Sequence, residues 1–174
     1  MKERKRIALL VGQPEEDYQK LFIQGFLEQG FLYNYDVCIF AMYQKYQETQ
    51  AREIGESHIF SLIQYELFDA FVVLLDTIQT PQVADRIEQK LKDCFSGPVI
   101  CVDKQSKYFP TVMTDHYTPT KKLITHLIEE HGFRDIAYIT GKKWHPHSKQ
   151  RLQGFLDCME AVSYTHLTLP TTPY

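Results

Sequence analysis

Ile7-Ala8-Leu9-Leu10-Val11 is an unbroken apolar run that stops at Gly12-Gln13-Pro14. No feature of the chain limits its fold more. A strand apolar on both sides must be covered on both sides, which is the condition of a central strand in a parallel sheet and not of a half-solvated antiparallel one. Two more runs have the same character, Phe71-Val72-Val73-Leu74-Leu75 closing at Asp76 and Val99-Ile100-Cys101-Val102 closing at Asp103. Residues 35–40, 110–114 and 136–139 read as three further strands, the last closed by Gly141.

Between these runs the apolar spacing changes to a helical one. Tyr18, Leu21, Phe22, Gly25 and Phe26 recur at three and four, with Gly30 placed to end the helix. Residues 51–64 carry Gly55, Ile59, Leu62 and Ile63 on one side. Thr80-Pro81 reads as an N-cap followed by a first-turn proline, ahead of the stripe Ala84, Ile87, Leu91 and Cys94. Thr118-Pro119 repeats that signal before Leu123, Ile124, Leu127 and Ile128, with Gly132 as the stop, and Ser148 is placed to cap a last helix through Phe155 and Met159. Strands alternating with helices imply parallel pairing through crossovers, so the expected fold class is α/β with a doubly wound parallel sheet.

Composition narrows the function. With 44% hydrophobic residues over 174 positions there is material for a buried core. Nineteen Lys and Arg stand against 22 Asp and Glu, a net charge of -3, so the chain lacks the positive field that nucleic-acid contact requires. Cys38, Cys94, Cys101 and Cys158 are far apart with no Cys-x-x-Cys pair, which suits free buried thiols in a reducing compartment. Five residues of apolar sequence after Met1-Lys-Glu-Arg-Lys-Arg6 are too few for a signal peptide or a membrane span, and a cytoplasmic location is expected. Residues 162–174 hold no acid, lysine or arginine, four threonines and two prolines. They continue no pattern and read as a non-native tail.

Ligands of open parallel sheets bind beyond the carboxyl ends of the strands, which directs attention to Gln13, Asp76, Asp103, Asp115 and the loop after Gly141. Asp76 and Gln13 are candidate ligand contacts, although an aspartate just after a strand also serves turns; Asp103 reads as structural. Trp144, the only tryptophan, has an indole face that could stack on a sugar ring or a base, or pack on its own lobe. Lys142, Lys143, His145, His147, Lys149 and Arg151 form a basic stretch, by default a solvated loop. His145-Pro-His147 and the pair His126 and His131 match no metal-site spacing, and no metal or cofactor is expected. Nucleophile-elbow, phosphate-loop, dinucleotide and zinc-peptidase motifs are all absent, so the chain is not expected to be an enzyme.

The order of elements and several short motifs resemble the effector domain of the lactose and galactose repressor (LacI/GalR) family, related to type I periplasmic sugar-binding proteins. The carriers are Arg6-Ile7-Ala8-Leu9, Phe68-Asp69-Ala70-Phe71-Val72, residues 97–103 (GPVICVD), residues 112–116 (VMTDH), residues 126–141 and Ser148-Lys-Gln-Arg151-Leu-Gln-Gly154-Phe155. This similarity spans about residues 5–161. It implies a first lobe over residues 5–115 and the start of a second over 116–161, with Asp115 and His116 at the hinge. Arg151 matches the family's effector-contacting arginine, and its rigid fork of donors suits hydroxyl, carboxylate or phosphate groups. A cation in a helix's first turn opposes the helix dipole, so helix electrostatics do not account for it.

The implied function is a cytoplasmic sensor in which a small-molecule effector, a sugar or nucleoside-like compound, bridges the lobes and favours their closed state. Partners implied are that effector and, by resemblance, a second copy in a homodimer, without nucleic-acid or membrane contact by this chain. Departures are Asp69-Ala70 where the family has Asp-Gly, Asp115-His116 where it has Asp-Asn, and only five residues before the first strand in place of a helix-turn-helix head. An output module beyond the sensor is expected, either an AraC-type DNA-binding module or a GGDEF-type diguanylate cyclase. The alternatives are a transport-type solute-binding protein, which needs export, and an unrelated flavodoxin-like enzyme, which needs a phosphate loop. With half of the family domain absent, weak ligand binding and low stability are expected.

Overall fold

The computed structural model describes residues 4–43, 49–143 and 145–161. Two compact units divide at Met113 and Thr114. In the first, five strands form one parallel sheet: β1 (Arg6–Gly12), β2 (Asp36–Met42), β3 (Ala70–Val73), β4 (Val99–Val102) and β5 (Thr111–Val112), in the order β2-β1-β3-β4-β5. Its helices are α1 (Asp17–Leu32), α2 (Gln50–Ser57) and α3 (Val83–Cys94).

The apolar runs are covered on both faces, as their composition requires. Side chains alternate along a strand, so Leu9 and Val11 of β1 meet Phe22, Ile23 and Phe26 of α1. Ala8 and Leu10 point the other way, into a larger core with Phe60, Phe71, Leu75, Val83, Ile87 and Leu91, supplied by α3 and the segment after α2. Phe71 is its centre, with rings of Tyr65, Phe68 and Phe95 within 4.7–5.6 Å. Of the cysteines, all four are free; Cys101 and Cys158 are buried, but Cys38 is half-buried and Cys94 exposed.

The second unit is a pair of helices, α4 (Tyr117–Glu129) and α5 (Pro146–Ala161), that bury Ile124, Ile128, Phe155 and Met159 against each other. Gly154 permits the close crossing, because a Cβ there would lie 2.8 Å from the Tyr117 carbonyl oxygen.

Local signals failed where side-chain chemistry offered a better partner. α3 does not start on a Thr80 cap and Pro81. Its N-cap is Gln82 in the left-handed region, φ 65°, and Thr80 closes a turn by accepting from the Val83 amide at 3.2 Å. Helix α4 begins one residue before Thr118, because the Asp115 carboxylate accepts from the amides of Tyr117 and Thr118 at 2.9 and 3.0 Å. Ser148 lies inside α5, which opens with Pro146. The helix expected over 51–64 tightens into a 3-10 turn from His58. Residues 136–139 form no strand: the second unit has no other strand among its described residues to supply a ladder, so Ile136 and Tyr138 lean on the helix pair and Ile139 is 88% exposed. Residues 162–174 and Trp144 lie outside the described residues.

Candidate functional site

The strand order places the site. Going out from β1, one connection leads to β2 and the next to β3 on the opposite side, so the direction of winding reverses between β1 and β3. At such a switch point neighbouring loops leave on opposite faces and open a crevice at the carboxyl ends of the two strands. Gln13 follows β1 and Asp76 follows β3.

Gln13 is held in the left-handed region at φ 52°, a conformation uncommon for a residue with a side chain, while its amide donates to the Met42 carbonyl at 2.7 Å at the end of β2. Gly12, just before it, packs backbone to backbone against the loop after β3. Its amide donates to the Thr77 hydroxyl at 2.9 Å, and that hydroxyl donates to the Leu74 carbonyl at 2.7 Å. The two loops are thereby tied together under the site. Asp76 is half-buried beside them.

Tyr18, from the first turn of α1, donates its hydroxyl to the Asp103 carboxylate at the end of β4. Asp103 is buried and itself left-handed, φ 60°. Partial burial, the hydrogen bond to Asp103 and the negative charges of Asp103 and Asp76 all hold the Tyr18 phenol well above its ordinary pKa, so it stays protonated. Two carboxylates and a phenol thus gather around the switch point with the Gln13 amide. Sequence reasoning took Tyr18 only as a buried helix position. Its distinguishing signal is placement in the first turn after the β1 loop, where the side chain reaches the strand ends.

In the second unit Arg151 is exposed on α5, and its guanidinium lies 3.3 Å from His116 Nδ1. The His116 amide donates to the Gln150 side chain at 3.3 Å, and the rings of His116 and His147 lie tilted against each other with centroids 4.2 Å apart. Asp115 serves as the cap of α4. Those hydrogen bonds, first the one with Thr118, keep its carboxyl below the usual carboxylate range.

A family model described as "Periplasmic binding proteins and sugar binding domain of LacI family" matches residues 4–169. No curated protein matches the chain. Among solved structures, a periplasmic solute-binding protein of an ABC transporter from Actinobacillus succinogenes 130z with bound D-allose aligns at TM-score 0.68 and 18% identity, over 92% of this chain and 57% of that one. The CcpA regulator from Weissella paramesenteroides with bound sucrose aligns at TM-score 0.66 and 17% identity, over 93% and 56%. The transcriptional repressor ascG of Escherichia coli aligns at 0.62 and 16%, over 94% and 56%. The chain therefore spans a little over half the length of the structures it resembles.

Proposed function

Because the chain belongs to the family of periplasmic binding proteins and LacI-family sugar-binding domains, we propose that it is a small-molecule sensor domain whose ligand, a sugar or nucleoside-like compound, lies at the carboxyl ends of β1 and β3. The observation that carries this reading is the switch point itself, flanked by Gln13 and Asp76. Acceptors dominate there, the carboxylates of Asp76 and Asp103 beside the amide of Gln13, and a ligand with several hydroxyl donors complements them. Sucrose and D-allose in two of the similar structures are compounds of that kind.

The same reading gives Arg151 a ligand contact from the second unit, and gives Asp115 and His116, just past the division at Met113 and Thr114, the hinge. It makes the sensor part of a transcription regulator in the cytoplasm, where the exposed Cys94 thiol stays reduced. A second copy covers the apolar row that α1 exposes, with Leu21 and Leu32 about 70% accessible and Phe31 82%.

The test is a thermal-shift panel of mono- and disaccharides and nucleosides. A ligand at 100 times its Kd adds about 2.7 kcal/mol, raising the Tm of a domain this size by roughly 5–10 °C. Asp76→Asn is expected to weaken that ligand about tenfold. A panel with no shift, or a ligand indifferent to Asp76, overturns the reading.

A further inference from the structure

The acidic residues of α3 are engaged: Asp85 is paired with Lys107 at 2.6 Å, and Glu88 accepts from the Ser106 hydroxyl and, at 3.0 Å, from the Lys107 amide, whereas Asp93, three residues beyond Lys90, accepts from Gln89 at 2.9 Å. Lys92 rests over the Tyr108 ring, 4.3 Å from its centroid. The side chains of Arg86 and Lys90 have no ion-pair or hydrogen-bond partner among the described residues. They stand four apart on one helix face, where like charges repel.

Both line a cleft between α3 and the turn that follows α2. His58 faces them from that turn, Phe60 and Ile87 make a buried apolar floor, and Tyr65 closes one side. Burial holds the Tyr65 phenol above its ordinary pKa, so it remains a donor, and its hydroxyl has no protein partner among the described residues. None of these residues belongs to the switch-point site.

We propose that this cleft is a second ligand site, for an organic anion: an apolar body on Phe60 and Ile87 bearing a carboxylate or phosphate held by Arg86, Lys90 and the Tyr65 hydroxyl. Arginine supplies a planar fork, lysine a point charge, and a neutral phenol a directed donor, so the head group meets complementary charge while the floor excludes water from its tail. A site of this kind would let a metabolite other than the sugar-class ligand act on the first unit.

Isothermal titration of the chain with phenyl phosphate, benzoate and inorganic phosphate tests it. Phenyl phosphate or benzoate is expected to bind at least tenfold more tightly than inorganic phosphate, with affinity falling as salt is raised. Arg86→Gln with Lys90→Gln should reduce that affinity tenfold or more, whereas Lys92→Gln should leave it unchanged. These side chains are exposed, so the fold persists, and the thermal response to sugars and nucleosides is expected to be the same in all variants. Inorganic phosphate binding as tightly as the aromatic anions, equal affinity in the double variant and the parent, or no binding by any probe overturns the proposal. None of these results bears on the switch-point site.

Discussion

Gly12→Ala perturbs the joint beneath the candidate site. A Cβ at Gly12 would lie 2.3 Å from the Thr77 carbonyl oxygen and 2.9 Å from its carbon, both main-chain atoms that no rotamer change can move away. Relief requires the loop after β3 to retreat by about 1 Å, an overpacking cost of about 1–3 kcal/mol. That retreat also stretches the buried 2.9 Å bond from the Gly12 amide to the Thr77 hydroxyl, adding about 1–3 kcal/mol. Restricting the unfolded chain returns only about 0.4–1 kcal/mol. The net loss is therefore about 1–5 kcal/mol, a sizeable part of the 5–15 kcal/mol typical of a folded domain. Urea unfolding followed by far-ultraviolet circular dichroism should show the midpoint falling by roughly 0.5–2.5 M. Gly25→Ala is the matched control: the same methyl in α1 meets nothing within 4 Å, and should stabilise by about 0.5–1 kcal/mol. A Gly12→Ala protein within about 0.5 kcal/mol of the parent, a difference of the size ordinary surface changes give, would refute the claim that this contact fixes the two loops.

Glu88→Ala strands the Ser106 hydroxyl and Lys107 amide that anchor the loop between β4 and β5, and should cost about 2–4 kcal/mol by the same urea assay, with Glu88→Gln costing less because it keeps the acceptor. Asp115→Ala removes the carboxylate from the amides of Tyr117 and Thr118, so amide hydrogen exchange should quicken in the first turn of α4. The Asp115 pKa is lowered on folding from 3.8, so its contribution is complete above that value and fades as pH falls through the lowered one; an acid titration of the helical signal should show Asp115→Ala and the parent converging below about pH 4. The Tyr18 pKa is raised on folding from 10.0, so the opposite sign holds: its contribution is complete below pH 10 and is lost as pH rises towards the folded-state value. Difference absorbance near 295 nm between the parent and Tyr18→Phe should therefore show no Tyr18 phenolate at pH 10.

The parts of the fold legible in the sequence are those decided by periodicity. A strand such as Ile7 to Val11 declares its two covered faces in its own residues, and α3 declares its buried stripe, so the doubly wound sheet could be read without any partner in view. Helix ends were misread because a cap is a contest among nearby acceptors. Thr118 has the right chemistry, but the Asp115 carboxylate carries full charge and reaches two amides at once. Residues 136–139 have a strand's composition but needed a neighbouring ladder, which composition does not report. The site shows the same division. Gln13 and Asp76 could be placed after β1 and β3 by position alone, since strand ends can be located from the runs that precede them. Tyr18 was not, because its meaning depends on β4 delivering Asp103 from 85 residues away. Nor were the two cations of α3: its acids and bases are mixed along the chain, and only the partners taken by Asp85, Glu88 and Lys92 show that Arg86 and Lys90 are the cations left lining a cleft. A binding site made from what the fold leaves unneutralised can be recognised only after every other charge has been assigned.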